Sequence, residues 1–330
     1  MNICMIGHGM MGEWHSESLK STDARLHTVV GRRPEPTEAF ARRFGYAAWS
    51  VDADSAIANP EIEIVVVAGP SETHASMAMT ALRHGKHVLV EIPLALNRRD
   101  SESIVEEADK QGLKLGVVHP MRYRKEHIAL LQRVRAGTEK VRHVQARLFM
   151  HRLQNVGATG YQRSWTDNIL WHHGAHLVDV GLWLTHGGDL SSARRDELSV
   201  STFQSPKDGT TGIPMEIAML IETPKGQSIV CTGSYYSRER IFDVFVVTDQ
   251  DSYRLDILRG LFVTGSGELR IDSEQENNAQ VARDFVEAVR FDREPNVPGR
   301  SVLAAMEILQ RAQDTSDAKI ASTQKPEPLP

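Results

Sequence analysis

The sequence predicts an α/β protein whose N-terminal half is a doubly wound parallel sheet and whose C-terminal half is an α+β domain. Three observations predict it. Short apolar strands alternate with helices through about residue 119; glycines stop three of those helices; and after residue 122 strands follow one another without intervening helices.

The elements follow in order. Asn2–Ile6 is a short apolar strand, followed by a glycine turn and a helix to about Ser21. Leu26–Val30 is a second strand, Thr37–Phe44 a helix stopped by Gly45, and Tyr46–Trp49 a third strand. Ile62–Ala68 carries the run Ile64–Val67, which suits a strand buried on both faces. Thr73–His84 is a helix stopped by Gly85, His87–Glu91 a strand, Asp100–Gln111 a helix stopped by Gly112, and Leu115–Val118 the last strand of this half. A glycine just past a helix adopts the left-handed cap without steric cost. Beyond residue 122, Val141–Arg152 alternates as a long strand and Leu170–His186 is helical. Strands follow near Glu197–Phe203, Met215–Thr223, Gln227–Tyr235, Ile241–Thr248 and Tyr253–Leu258, with Pro224-Lys225-Gly226 as a hairpin turn. Such a run implies a predominantly antiparallel open sheet. Helices near Asn277–Arg290 and Ser301–Asp317 close the chain. The expected division is 1–122, 123–323 and a proline-rich disordered tail, 324–330.

Composition excludes several classes. The 330 residues carry 41% hydrophobic and 25% charged side chains, too apolar for a disordered chain. A net charge of −5 argues against a dedicated nucleic-acid partner. No apolar run reaches the roughly 18–20 residues of a membrane helix, and the N-terminus opens directly on a strand, so a cytoplasmic protein with no membrane partner is expected. Two cysteines, Cys4 and Cys231, cannot form a disulfide framework and fit a reducing compartment.

Gly7-His8-Gly9-Met10-Met11-Gly12 follows the first strand and opens a helix, the G-x-G-x-x-G dinucleotide fingerprint in its required setting. Gly7 permits the tight turn, Gly9 lets backbone approach a pyrophosphate, and Gly12 lets helix pack on strand. These features predict a Rossmann domain. About 20 residues on, an NAD enzyme places a carboxylate on the ribose 2′-hydroxyl. Here the second strand ends Val30-Gly31-Arg32-Arg33, and two guanidiniums there suit the 2′-phosphate of NADP, with NAD the lesser expectation. In open sheets ligand sits beyond the carboxyl ends of the strands. Gly69-Pro70-Ser71, His74, Glu91-Ile92-Pro93 and His119 are therefore expected to line the nicotinamide pocket.

The densest polar constellation runs Arg163-Ser164-Trp165-Thr166-Asp167, Trp171-His172-His173-Gly174-Ala175-His176, then Asp179. His172 and His176 are four apart, on one helical face, with Asp179 nearby. Acid–base chemistry by His176, assisted by His172 or His173, is the favoured reading. A metal site is the weaker one, lacking cysteine and an evident third ligand, so no metal is expected. Arg122, Arg124, Arg152 and Arg163 flank these segments. Guanidinium grips carboxylate through paired hydrogen bonds, so a small anionic substrate is expected, with Arg163, Arg122, Trp165 and Asp179 as its contacts.

Gly7–Gly12, Gly69–His74, Gly85–Pro93 and Gly174–Asp179, in that order, resemble the glucose–fructose oxidoreductase, inositol dehydrogenase and rhizopine-catabolism (Gfo/Idh/MocA) family. The resemblance covers nearly the whole chain. It implies a Rossmann domain, a C-terminal α+β domain with an open sheet through which subunits pair as homodimers or homotetramers, and NAD(P)-dependent alcohol–carbonyl chemistry. Two positions depart from the family pattern: Ile92 stands where most members have lysine, and His172 where many have aspartate. A branch of the family shares both departures and is similar in Val90–Ala95 and Arg163–His176. It oxidises dicarboxylates from bacterial aromatic catabolism, in the 4,5-cleavage of protocatechuate, with NADP. The resemblance thus implies oxidation of a hydroxyl or cyclic hemiacetal on such a dicarboxylate. The alternatives are a sugar, inositol or dihydrodiol dehydrogenase of the same family, and a non-catalytic NADP-binding sensor.

Overall fold

The computed structural model describes all residues except 157–164, 166, 191–197, 270–276 and 324–330. The expected tail and Arg163 fall outside the described residues.

The chain forms two compact units, each assembled from separated segments. Unit 1 comprises Met1–Ala129, Gln154–Asp167 and Asp272–Leu303; unit 2 comprises Leu130–Leu153, Asn168–Ile271 and Ala304–Pro330. The boundary is therefore not a single cut near residue 122. Helix α8 (Asn277–Arg290) packs on α1 (Met10–Leu19), which returns a late segment to the first unit. An amphipathic stripe tells that a helix is buried, not against which partner.

Unit 1 holds a six-stranded sheet of order β3-β2-β1-β4-β5-β6, parallel throughout. Its strands are β1 (Asn2–Ile6), β2 (Arg25–Val30), β3 (Ala48–Ser50), β4 (Ile64–Val67), β5 (His87–Val90) and β6 (Leu115–Val117). All four residues of β4 are buried, because helices cover both faces of a doubly wound sheet. Between the strands lie α1, α2 (Pro34–Phe44), α3 (Ala53–Ala58), α4 (Ser71–Arg83) and α5 (Arg98–Gln111). Gly45 and Gly112 cap α2 and α5 in the left-handed conformation. Helix α3 was not expected: at six residues it is too short for periodicity to show, and it starts on Asp52, whose side chain accepts the Ser55 N–H.

Helix α6 (Lys125–Arg135) leads out of unit 1. Unit 2 is built on an eight-stranded sheet of order β14-β13-β12-β11-β7-β10-β9-β8. The strands are β7 (Val141–His151), β8 (Ser199–Gln204), β9 (Glu216–Glu222), β10 (Ser228–Ser234), β11 (Tyr236–Thr248), β12 (Ser252–Asp256), β13 (Leu261–Thr264) and β14 (Gly267–Leu269). Only β7 and β10 pair in parallel. The expected hairpin turn joins β9 and β10, with Gly226 at φ 74°. Helix α7 (Ala175–Thr185) packs on β7 and β10, and nearly every residue in it is buried. Helix α9 (Leu303–Thr323) ends the described chain. Cys4 and Cys231 are buried in separate sheets, and burial pushes each thiol up to about 12. Among the described residues no helix is long and apolar enough to cross a membrane.

Candidate active site

Unit 1 presents a dinucleotide cradle. Gly7 has φ 107°, a conformation that side chains disfavour, and donates its N–H to the Val30 carbonyl at 2.9 Å. A Cβ on Gly7 would overlap the Ala68 carbonyl, and one on Gly12 the Gly7 carbonyl. Gly9 is the N-cap of α1 and brings no side chain across its first turn. Backbone atoms alone fill these approaches, so strand, turn and helix pack as a phosphate-binding cradle requires. Met10 and Trp14 are exposed on α1.

The end of β2 lies beside that cradle. A Cβ on Gly31 would overlap the His8 ring and Thr37 Oγ1. The His8 ring also neighbours Phe40, centroids 5.9 Å apart. Arg32 is exposed, with a guanidinium nitrogen 3.6 Å from Glu72. Arg33 is the N-cap of α2, and its carbonyl accepts the Thr37 hydroxyl at 2.6 Å. The carboxylate expected of an NAD site has no room at Gly31 unless His8 moves.

At the carboxyl edge of the sheet, several expected cofactor contacts are tied to the fold. His74 is buried, its ring nitrogens 2.7 Å from the Pro93 carbonyl and 3.1 Å from the Gly69 carbonyl, so it spans the ends of β4 and β5. Glu91 is buried against His15 of α1 at 2.6 Å. Ile92 is buried, the Ile92–Pro93 peptide is cis, and His119 is buried before the 3-10 turn Pro120–Tyr123. Pro70 is the N-cap of α4. Ser71, at the start of α4, donates its hydroxyl to Asp167 at 2.6 Å, which fastens the end of the Arg163–Asp167 motif to this edge. Trp165 is half-buried in the same unit. Arg122 is buried, its guanidinium donating to the Ser301 hydroxyl at 2.9 Å and the Ser301 carbonyl at 3.2 Å.

Unit 2 carries the histidines. Leu170–Gly174 forms one π-helical stretch that runs into α7. The expected helix is present, but its first turn is wider than an α-turn, a feature that recurs at functional sites. Asn168 fixes its start: Oδ1 accepts the N–H groups of Leu170 and Trp171, and Nδ2 donates to Gln313 of α9. Trp171 Nε1 donates to the same Gln313 oxygen. His172, His173 and His176 are each partly accessible. The His172 and His173 rings meet edge to face, centroids 4.5 Å apart. Burial, then the charges of His172, His176, Arg152 and Arg240, hold His173 well below its ordinary value. His176 lies beside Phe242, centroids 6.5 Å apart. Asp179 is wholly buried in α7.

Tyr235, beyond the expected set, and Arg152, one of the arginines flanking the motifs, complete this cluster. Tyr235, fully buried after β10, has its hydroxyl 2.6 Å from His173 Nδ1, and Arg152 Nη1 donates to the same oxygen at 3.3 Å. No sequence signal joins Tyr235 to His173, 62 positions upstream. Their juxtaposition comes from the pairing of β10 with β7 and the packing of α7 on both.

Two family models account for most of the chain. Residues 1–119 match an oxidoreductase family with an NAD-binding Rossmann fold, and residues 125–265 match the C-terminal domain of bacterial oxidoreductases. The chain belongs to this Gfo/Idh/MocA oxidoreductase family. One relative, 4-carboxy-2-hydroxymuconate-6-semialdehyde dehydrogenase of Sphingobium sp. (strain NBRC 103272 / SYK-6), is 29% identical over 94% of this chain and 96% of its own. Among solved structures, UDP-N-acetylglucosamine 3-dehydrogenase from Acidithiobacillus ferrooxidans superposes with a TM-score of 0.80 at 19% identity, covering 96% of this chain and 98% of that one. Levoglucosan dehydrogenase in complex with NADH and levoglucosan gives 0.80 at 18% identity, covering 97% of each. At such identities the structures share the fold.

Proposed function

We propose that this oxidoreductase is an NADP-dependent dehydrogenase of a cyclic hemiacetal on an aromatic-catabolism dicarboxylate, with 4-carboxy-2-hydroxymuconate-6-semialdehyde as substrate and 2-pyrone-4,6-dicarboxylate as product. The observation that carries the reading is the cluster of His172, His173 and His176 in a chain whose family lysine position holds buried Ile92. The full-length likeness to the semialdehyde dehydrogenase supports it.

The chemistry suits these residues. A hemiacetal hydroxyl is more acidic than a simple alcohol, so an imidazole suffices as base without a lysine. The substrate O–H proton passes to His176, the hydrogen on the hemiacetal carbon leaves as hydride with the electron pair of its C–H bond, and the ring carbon becomes a lactone carbonyl. Bound on Gly7–Gly12, the nicotinamide cofactor supplies the hydride acceptor. His8, Arg32 and Arg33 select the 2′-phosphate, a reading supported by the absence of a carboxylate at Gly31. Arg163 takes the first carboxylate; Arg122, already anchored on Ser301, is the second choice. The same reading makes the protein a cytoplasmic homodimer or homotetramer assembled through the unit 2 sheet, supported by exposed Phe203 and Leu220 on one face of β8 and β9.

The test is absorbance of reduced nicotinamide when the protein meets NADP or NAD and enzymatically generated 4-carboxy-2-hydroxymuconate semialdehyde. Rapid reduction with NADP preferred and the pyrone formed is the expected result. Binding of NADP without reduction overturns the assignment. Turnover of neutral sugars or inositols instead supports the polyol reading, and silence toward every substrate supports an NADP sensor.

A further inference from the structure

The three histidines are not equivalent. His173 Nδ1 lies 2.6 Å from the Tyr235 hydroxyl, a short contact, and the two rings meet edge-on at 84° with centroids 5.5 Å apart. Either atom could donate across that bond. A phenol donates strongly and accepts weakly, and here its oxygen already receives an N–H from Arg152, which only donates. The guanidinium also stands 5.4 Å from the Tyr235 ring centre. A cation bonded to the phenol oxygen makes its O–H more acidic and a better donor to an imidazole nitrogen. Backbone geometry holds the group in place: the Arg152 N–H donates to the Tyr235 carbonyl and the Tyr235 N–H to the Met215 carbonyl, each at 2.9 Å.

We propose that Tyr235 is a positioning residue that locks His173 in the tautomer protonated at Nε2, so that His173 serves the reaction as a hydrogen-bond donor and the hydroxyl proton goes to His176. Nδ1 is then occupied as an acceptor, and Nε2 already carries its proton. A neutral imidazole so arranged has no nitrogen available to act as base. It donates to the substrate oxygen on which negative charge builds as the proton leaves. Arg152 serves through Tyr235, and this division of labour rests on the dehydrogenase reading above.

The test uses the full-length protein with histidine labelled by nitrogen-15, its His173 signals assigned by difference from His173→Gln. Couplings from each ring nitrogen to the two ring carbon-bound protons report the tautomer. The wild-type protein is expected to show His173 neutral, with Nε2 protonated, at pH 7.5 without substrate. A His173 protonated at Nδ1, or at both nitrogens, overturns the proposal whatever the substrate proves to be. In Tyr235→Phe the Nδ1 signal is expected to lose its hydrogen-bond shift and the tautomer to become mixed. Its kcat falls about tenfold, while KM and NADP affinity stay within about twofold. An unchanged tautomer and kcat in the folded variant overturn it equally. The spectrum requires no turnover, so failure of the substrate assignment and failure of this proposal remain distinguishable.

Discussion

His176 is the side chain on which the proposed chemistry turns. His176→Ala is expected to lower kcat/KM by about a hundredfold or more while NADP affinity is kept. A folded variant with near-normal turnover removes His176 from the role. At the end of β2, replacing Arg32 and Arg33 together by alanine is expected to weaken NADP by about 1–3 kcal/mol and leave NAD unchanged; titration with both cofactors checks it, and equal losses refute selection of the phosphate. The glycine fingerprint, the arginine pair and the histidine run were legible in the sequence because each is a local pattern with a local physical reason. The pairings of Tyr235, Asp167 and His15 were not, although Asp167 itself stands in the polar constellation. Their partners, His173, Ser71 and Glu91, lie 62, 96 and 76 positions away, and no spacing rule reaches across strand pairing.

Among the elements, α6 carries a buried imidazole with a consequence for pH. His127 is completely buried, its Nδ1 2.7 Å from the Met121 carbonyl, and burial lowers it to about 4. The unfolded chain binds this proton near the ordinary value of about 6.5. Between those values the unfolded state binds more protons, so stability is full above about 6.5 and falls as pH drops toward 4. The expected loss is about 3 kcal/mol, and His127→Gln should flatten that part of the pH–stability curve in urea titrations. An unchanged slope shows that other groups govern it. In unit 2, β7, β11 and β12 are joined by Asp243, buried to 1% exposure, which accepts from Arg147 at 2.6–2.8 Å and from Arg254 at 3.0 Å. Asp243→Ala leaves two like charges side by side and is expected to cost about 2 kcal/mol, less than for a fully buried pair because both arginines are partly solvated; a melting temperature equal to that of the wild type counts against it. Element identity was mostly legible, since periodicity and glycine stops reflect local packing. Short α3, β13 and β14 escaped because three to six residues carry too little period to read, and α6, eleven residues long, escaped as well.

On the scale of the whole molecule, the two units are interleaved along the chain. Tyr123 donates to Asp284, Arg122 reaches Ser301, and α8 packs on α1, so residues 272–303 complete unit 1. A fragment of residues 1–122 is therefore expected to lack a cooperative thermal transition. A fusion of 1–129 to 272–303 through a flexible linker is expected to recover one; equal cooperativity in both, by calorimetry, would refute the closing role of the late segment. The doubly wound parallel sheet could be anticipated from the alternation of strands and helices, whereas the return of α8 could not, because its apolar face fits any buried surface.

That return also orders events at the ribosome. The glycine turn that cradles the dinucleotide emerges within the first dozen residues, yet the helix that seals its unit begins at Asn277. At about 5–20 residues per second, some tens of seconds of synthesis separate the two. The first-made unit is thus among the last to close, and a nascent chain gains its full dinucleotide-binding unit only once most of unit 2 has already been made.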